Sequence, residues 1–328
     1  MQSHTYEFNG RDVLHVIGPA FVPILAFALL MHLGAAAKLL PKPRPTLDVD
    51  RTILVHKAEA SRSKGDAQVL LIGDSSCMID VQACELGQTT GMPALNLGTL
   101  SYLGLESHAA LLREYFALNP GRVRIVVLLM HPEALRLVAP AEYHAGVLQH
   151  FLRGTDFGVG SSPRDHVLHW LGSDFFRDRW LARAVPVPLG GPYGRKYGFT
   201  SDLESYLNNH CGSLADPDAR KFKGNPEYRL AARFEKDSRV FRASLPREVK
   251  LLVGITPVPS GYAQGDYART REQMLAQWQR WLEPAAILTN LPATLPDHLF
   301  VSVTHLSGAG AHEYTSMVAE FLRKNAPE

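Results

Sequence analysis

Short apolar runs separated by longer amphipathic stretches set the rhythm of this 328-residue chain. Val69 to Ile72, Pro93 to Leu97, Arg124 to Met130 and Val249 to Ile255 are largely continuous rather than alternating. That pattern predicts strands buried on both faces of a parallel sheet. Between them the apolar positions take up helical spacing. Met78, Ile79, Val81 and Leu86 fit one face of a short helix, and Ala109, Leu112, Tyr115 and Phe116 one side of a helix over Gly104 to Leu118. Asn119-Pro120-Gly121 stops the latter. Further helices are predicted over Leu54 to Ser63, Thr270 to Leu282 and Ala311 to Lys324, with a last short strand near Leu299 to Val303. Strands alternating with helices predict an α/β fold, a doubly wound parallel sheet.

Two stretches depart from that rhythm. Val13 to Ala37 contains no Asp, Glu, Lys or Arg. About 25 residues at 1.5 Å rise cross a hydrocarbon core of roughly 30 Å, and Pro19 and Pro23 are tolerated in such helices. The alternatives are a buried core helix or a cleaved signal peptide. Glu7, Arg11 and Asp12 supply no basic leader for the latter, although Ala35-Ala36-Ala37 resembles a cleavage site. Lys38, Lys42, Arg44 and Arg51 follow the span and only Arg11 precedes it, so the positive-inside rule places the large domain in the cytoplasm. Pro41 to Pro45 reads as a stiff spacer.

The second departure separates the third and fourth strands by about 120 residues, far more than a crossover needs. Residues 139–248 therefore read as an insertion. It carries an amphipathic helix over Asp165 to Ala184, a Pro/Gly-rich break from Pro186 to Gly194, and basic segments at Arg195-Lys196 and Arg220-Lys221-Phe222-Lys223. Its aromatic residues, among them Trp170, Trp180, Tyr193, Tyr197 and Tyr228, fit either a sugar-binding lid or a small satellite core. The expected organisation is a tail (1–12), a transmembrane helix (13–37), a linker (38–65) and one domain (66–328) with that insertion.

Composition narrows the chemistry. A net charge of +2 carries no polyanion-binding signature, so no nucleic-acid partner is expected. The three cysteines, Cys77, Cys84 and Cys211, lack metal-type spacing, and their odd number leaves room for one bridge. His166-Val-Leu-His169 has metal-like spacing but no acidic or cysteine partner nearby, and is read as structural. Gly308-Ala-Gly310 lacks the unit around a dinucleotide fingerprint and no P-loop occurs, so neither metal nor cofactor is expected.

Ser75 follows the first strand through Gly73-Asp74. A serine on a strand-to-helix turn stands at the carboxyl edge of the sheet, beside helix N-terminal amides able to stabilise an oxyanion. The plain alternative is a capped turn without chemistry. A nucleophilic serine needs a base. His305, after the last predicted strand and before a helix, shares that edge, as do Gly98 at the end of the second strand and His131 at the end of the third.

Gly73-Asp74-Ser75, Asn96-Leu97-Gly98 and His305-Leu306-Ser307 with Gly308-Ala309, in that order, resemble the SGNH (GDSL-type) hydrolase superfamily. The match is to its membrane-anchored branch, similar to proteins of alginate acetylation and teichoic-acid D-alanylation. The resemblance implies a flavodoxin-like three-layer sandwich, Ser75 as nucleophile, His305 as general base, and the backbone N–H groups of Ser75 and Gly98 as oxyanion donors. Two positions depart from the family. Ser302 stands where it has an Asp three residues before the histidine, and the third strand ends in His131 rather than offering the family's Asn. Without a carboxylate the imidazole is less firmly held in its tautomer, at a cost of several powers of ten in rate. Asp297 in the preceding loop is a candidate substitute, and Asp74, His131 and Ser302 are the other candidate supporting residues. The implied function is a membrane-anchored O-acyltransferase or esterase that acts on a cell-surface polysaccharide, with a membrane-bound acyltransferase as partner. Its large domain is then periplasmic or extracellular, against the charge count. The alternative is a catalytically inactive glycan-binding or assembly component of a polysaccharide modification or secretion complex.

Overall fold

The computed structural model describes residues 10–36, 49–100, 103–137, 142–153, 188–220, 222, 227–289 and 291–325. The N-terminal helix α1 (Gly10–Ala36) belongs to a unit made of residues 1–44 and 160–185, and is long and apolar enough to cross a membrane. Residues 45–159 and 186–328 form the other unit. It opens with α2 (Val49–Ser61), β1 (Val69–Gly73), α3 (Ser75–Asp80), α4 (Ala83–Thr90), β2 (Ala94–Asn96), α5 (Leu105–Leu118) and β3 (Ile125–Met130). Next come α6 (Pro132–Leu135), α7 (Glu142–Arg153), α8 (Gly191–Tyr197), α9 (Thr200–Asn209) and α10 (Arg233–Ala243). The chain continues through β4 (Lys250–Ile255), β5 (Val258–Pro259), α11 (Tyr267–Leu282), β6 (Ala286–Ile287), β7 (Thr294–Leu295) and α12 (Gly308–Asn325).

Five parallel strands make the central sheet in the order β2-β1-β3-β4-β6. The strands are apolar throughout because both faces are covered. On one face Leu70, Ile72, Val126, Leu128 and Val253 pack with α5, α10 and α11. On the other, Val69, Leu71, Ile125, Val127 and Leu129 pack with α4 and α12. Trp278 of α11 is fully buried, and its indole N–H donates to Ser238 Oγ of α10 at 2.9 Å.

The fifth strand is not the expected one. Its place is taken by β6, two residues that pair with Leu252 and Val253. The strand expected near Leu299 to Val303 is instead a 3₁₀ turn (Asp297–Leu299) followed by a tight loop closed by the bridge Phe300–Leu306. An edge strand needs only one neighbour, so the short run Ala285 to Leu288 suffices, too brief to stand out in the sequence.

The supposed linker 38–65 also contains a core element. In α2, Ile53, Leu54, Val55 and Ala58 are all buried. Polar neighbours disguise them, and one of these, Lys57, is itself fully buried. The described parts of the 139–248 insertion pack against the domain: α7 on α2 and α5, α9 on α2, and α10 on α5 and α11. A satellite core of Ile53, Met78, Ile79, Tyr197, Leu203, Leu207 and Leu214 joins the insertion to α2 and α3. The expected spacer Pro41 to Pro45, the helix over Asp165 to Ala184, the His166/His169 pair, Trp170 and Trp180 lie outside the described residues.

Candidate active site

The site is assembled from the carboxyl end of β1 outward. Gly73 closes β1 at φ +152°, where a Cβ would lie 1.7 Å from the Leu129 carbonyl, so only glycine allows β3 this close. Asp74 then caps α3. Its Oδ1 accepts the Ser76 N–H at 3.0 Å and the Ser76 hydroxyl at 2.6 Å, and its Oδ2 accepts the His131 N–H at 2.7 Å. The Ser76 hydroxyl also meets Thr256 Oγ1, just past β4, at 2.9 Å. One buried carboxylate and one hydroxyl thus tie the ends of β1, β3 and β4 together. Burial raises the Asp74 pKa, opposed by its hydrogen bonds from Ser76, His131 and Cys77.

Ser75 is the first residue of α3, a position whose N–H has no partner inside the helix. Its Oγ lies 2.9 Å from His305 Nε2. His305 sits on the loop that replaces the expected strand, where its carbonyl accepts the N–H groups of Val301 and Ser302 at 3.0 and 3.3 Å. The next residue is anchored by α3 itself, since the Leu306 N–H donates to Asp80 Oδ1 at 2.8 Å. A single short helix therefore presents the serine at its start and holds the histidine's loop at its end. Asp80 is fully buried, and its second oxygen has no partner among the described residues. Burial pushes its carboxyl well above the usual range.

Behind the imidazole stands a carboxylate the sequence did not reveal. His305 Nδ1 is 2.5 Å from Asp216 Oδ2. Asp216 Oδ1 accepts the Asp218 N–H at 3.0 Å and the Tyr193 hydroxyl at 3.4 Å. Its side chain is 1% exposed and that of His305 12%. Burial works to raise the Asp216 pKa, but the hydrogen bond and charge of His305, the Asp218 N–H and Arg220 outweigh it and hold the carboxyl below its ordinary value. A carboxylate on Nδ1 keeps that nitrogen protonated and leaves Nε2 free to accept the Ser75 proton.

The other expected site residues fall elsewhere. Asp297 Oδ1 accepts the Gly261 N–H at 2.8 Å and so closes the loop after β5 rather than supporting His305. Ser302 contributes its own N–H to the His305 carbonyl, and its hydroxyl faces Thr304 at 3.4 Å, so it shapes the loop without standing behind the ring. The Gly98 N–H donates to Asn96 Oδ1 at 2.8 Å, and a Cβ there would lie 2.9 Å from Met78 N. That amide is therefore spent on the neighbouring asparagine, which also donates to the Cys77 and Val81 carbonyls. His131 is buried at the end of β3, and its Nδ1 accepts the Glu133 N–H at 3.2 Å. Burial, and after it the nearby His305, lowers its pKa to about 3, so it stays neutral with its proton on Nε2.

Asp216 escaped the sequence reading because it lies deep in the insertion, in a segment without periodicity. The one clue was the room left for a single bridge among three cysteines; the structure forms it between Cys84 and Cys211, which brings the segment to the sheet edge. No protein-family model and no curated protein matches this chain.

Proposed function

We propose that the protein is an SGNH-type serine enzyme, a membrane-anchored O-acyltransferase or esterase that modifies a cell-surface polysaccharide. The observation that carries this reading is the unbroken chain of contacts from Ser75 Oγ through the imidazole to Asp216. In this scheme Ser75 Oγ attacks an acyl carbonyl while Nε2 of His305 takes the hydroxyl proton, and the imidazolium is stabilised by Asp216. The oxyanion develops beside the Ser75 N–H at the start of α3. Collapse expels the first alkoxide, which takes the proton from His305 and leaves an acyl-enzyme. A sugar hydroxyl, or water, then gives its proton to His305 and attacks the ester, and collapse releases Ser75 Oγ, which takes that proton back from His305. The parallel order β2-β1-β3-β4-β6 suits the flavodoxin-like sandwich of that superfamily. The carboxylate comes from the insertion instead of the position three residues before the histidine.

Two features favour an anchored domain outside the cytoplasm. Leu14, Val16, Ile24 and Leu25 of α1 are exposed, unlike the side chains of a core helix. The Cys84–Cys211 disulfide suits an oxidising compartment and speaks against the count of basic residues after the span. The polysaccharide substrate and a membrane-bound acyltransferase as donor come from the family resemblance. The test is labelling of the full-length, detergent-solubilised protein by a serine-directed phosphonate. Labelling that Ser75→Ala abolishes supports the assignment; labelling unchanged in that variant eliminates it.

The commitment of the Gly98 amide to Asn96 favours a second reading, a non-catalytic glycan-binding or assembly component. On that reading polysaccharide modification in cells survives Ser75→Ala but not loss of residues 13–37.

A further inference from the structure

Asp216 is not carried by the sheet. It comes at the end of a strap, residues 211–216, laid along the outer strand β2 and the start of α4. The strap is fastened almost residue by residue to β2, to α3 with the start of α4, and to α8. The Asn96 N–H donates to the Cys211 carbonyl at 2.8 Å. Gly212, at φ +82°, lies so close to β2 that a Cβ would be 2.2 Å from the Asn96 carbonyl. Ser213 Oγ donates to the Val81 carbonyl and accepts the Ala83 N–H, both at 2.9 Å. The Leu214 N–H donates to the Met78 carbonyl at 3.1 Å, and the Tyr197 hydroxyl donates to the Ala215 carbonyl at 2.5 Å.

Two fastenings stand out by their chemistry. One is covalent, the Cys84–Cys211 bridge from α4 to the first strap residue. The other is Lys57, whose fully buried side-chain nitrogen donates to the Asn96 carbonyl at 2.9 Å and to the Gly212 carbonyl, burial lowering its pKa to about 7. It thereby joins strap and strand through one atom. Burying an ammonium is costly, and an apolar side chain would serve the core of α2 better. A lysine there does what only a multiple donor can do: hold two carbonyls of separate segments together.

We infer that the Cys84–Cys211 bridge and Lys57 are positioning elements for acyl transfer, which together seat the strap so that Asp216 reaches His305 Nδ1. The inference rests on the Ser75–His305–Asp216 reading above and deepens it. It makes the carboxylate of this site an attachment bolted to the fold from outside rather than part of the motif that carries the histidine. A strap freed at Cys211 or Gly212 leaves Ser75 and His305 in place, since Asp74 and Asp80 hold those two independently.

The test is a pair of double-mutant cycles on the full-length protein, with turnover of an activated aryl ester as readout. Cys84→Ser and Lys57→Met are each measured in the Asp216 and the Asp216→Asn backgrounds. With Asp216 present, each is expected to lower kcat by about 10- to 100-fold with KM changed less than about twofold. With asparagine there, each is expected to change kcat less than about twofold, because the group they position is gone. Equal losses in both backgrounds, or no loss with Asp216 present, overturn the inference. Should either variant fail to fold, the wild type is reduced with dithiothreitol, whose two thiols become a cyclic disulfide as the bridge becomes two thiols. Activity should fall as amide exchange at 211–216 rises, and return on reoxidation with oxidised glutathione. Loss of activity without faster exchange there also overturns it. A wild type that turns over no ester and takes no phosphonate refutes the site reading itself, an outcome distinct from an active wild type indifferent to the strap.

Discussion

Replacing Asp216 by asparagine keeps the shape of the side chain and removes its charge. In the wild type the carboxylate oxygen 2.5 Å from His305 Nδ1 fixes the proton on that nitrogen. An asparagine amide can turn its NH₂ to Nδ1 instead, which moves the ring proton to Nε2 and leaves nothing to accept the Ser75 hydroxyl proton 2.9 Å away. The developing imidazolium also loses its counter-charge inside a site where the carboxylate is 1% exposed. In the serine–histidine–aspartate template this substitution lowers kcat by about 10⁴, equivalent to about 5.5 kcal/mol of transition-state stabilisation. The assay is turnover of an activated aryl ester by matched preparations of Asp216→Asn, Asp297→Asn and Ser302→Ala. Asp216→Asn is expected to fall by about 10³ to 10⁴ in kcat. The other two should stay within about threefold, since neither side chain touches the ring. Retention of more than about a tenth of the wild-type kcat by Asp216→Asn, or an equal loss in Asp297→Asn, refutes the assignment.

Acid should destabilise the fold through two buried neutral histidines, His131 held at about 3 chiefly by burial and His108 at about 4 by burial. The unfolded chain binds those protons first, near pH 6.5, so stability falls as pH drops from about 6.5 towards the folded values. The loss is about 2 kcal/mol per histidine between pH 7 and pH 5; urea midpoints that agree at the two pH values contradict it. Reduction of Cys84–Cys211, which spans 127 residues, should lower unfolding stability by about 2–5 kcal/mol. An unchanged urea midpoint with and without reductant would argue that the bridge contributes nothing. Burial pushes the Asp80 carboxyl well above its ordinary range, which works against its charge, so the uncharged amide of Asp80→Asn should keep an acceptor for the Leu306 N–H and stay within about threefold of wild-type kcat. Asp80→Ala, which leaves that N–H unpaired, should lose at least tenfold, about 1.4 kcal/mol. Equal activities of the two variants would count against the role given to Asp80.

The parts of the fold that the sequence announced are those whose physics is local. β1, β3 and β4 are buried on both faces and therefore read as uninterrupted apolar runs, and Asp74 announced the start of α3 because capping depends on adjacent residues. β6 was hidden because two edge residues carry no pattern. α2 was expected as a helix over Leu54 to Ser63, but its place in the core was hidden because Asp50, Arg51, Lys57 and Glu59 make it look solvated, whereas Lys57 meets two carbonyls inside the protein. His305 was placed near Ser75 for a partly mistaken reason: it arrives on a closed loop rather than at a strand end. The expectation at Gly98 overlooked that Asn96, two residues earlier, takes the same N–H. Asp216 lay beyond any local rule, because its segment is held by a long-range disulfide and a buried lysine.

The measurement that bears most directly on the central claim is rapid quenching of the full-length protein during turnover of an activated aryl acetate, followed by peptide mass mapping. A serine acyl-enzyme predicts an acetyl group on Ser75, formed in a burst and absent from His305→Ala. Turnover of the ester with Ser75 unmodified throughout, or with the acetyl group on another residue, would contradict it.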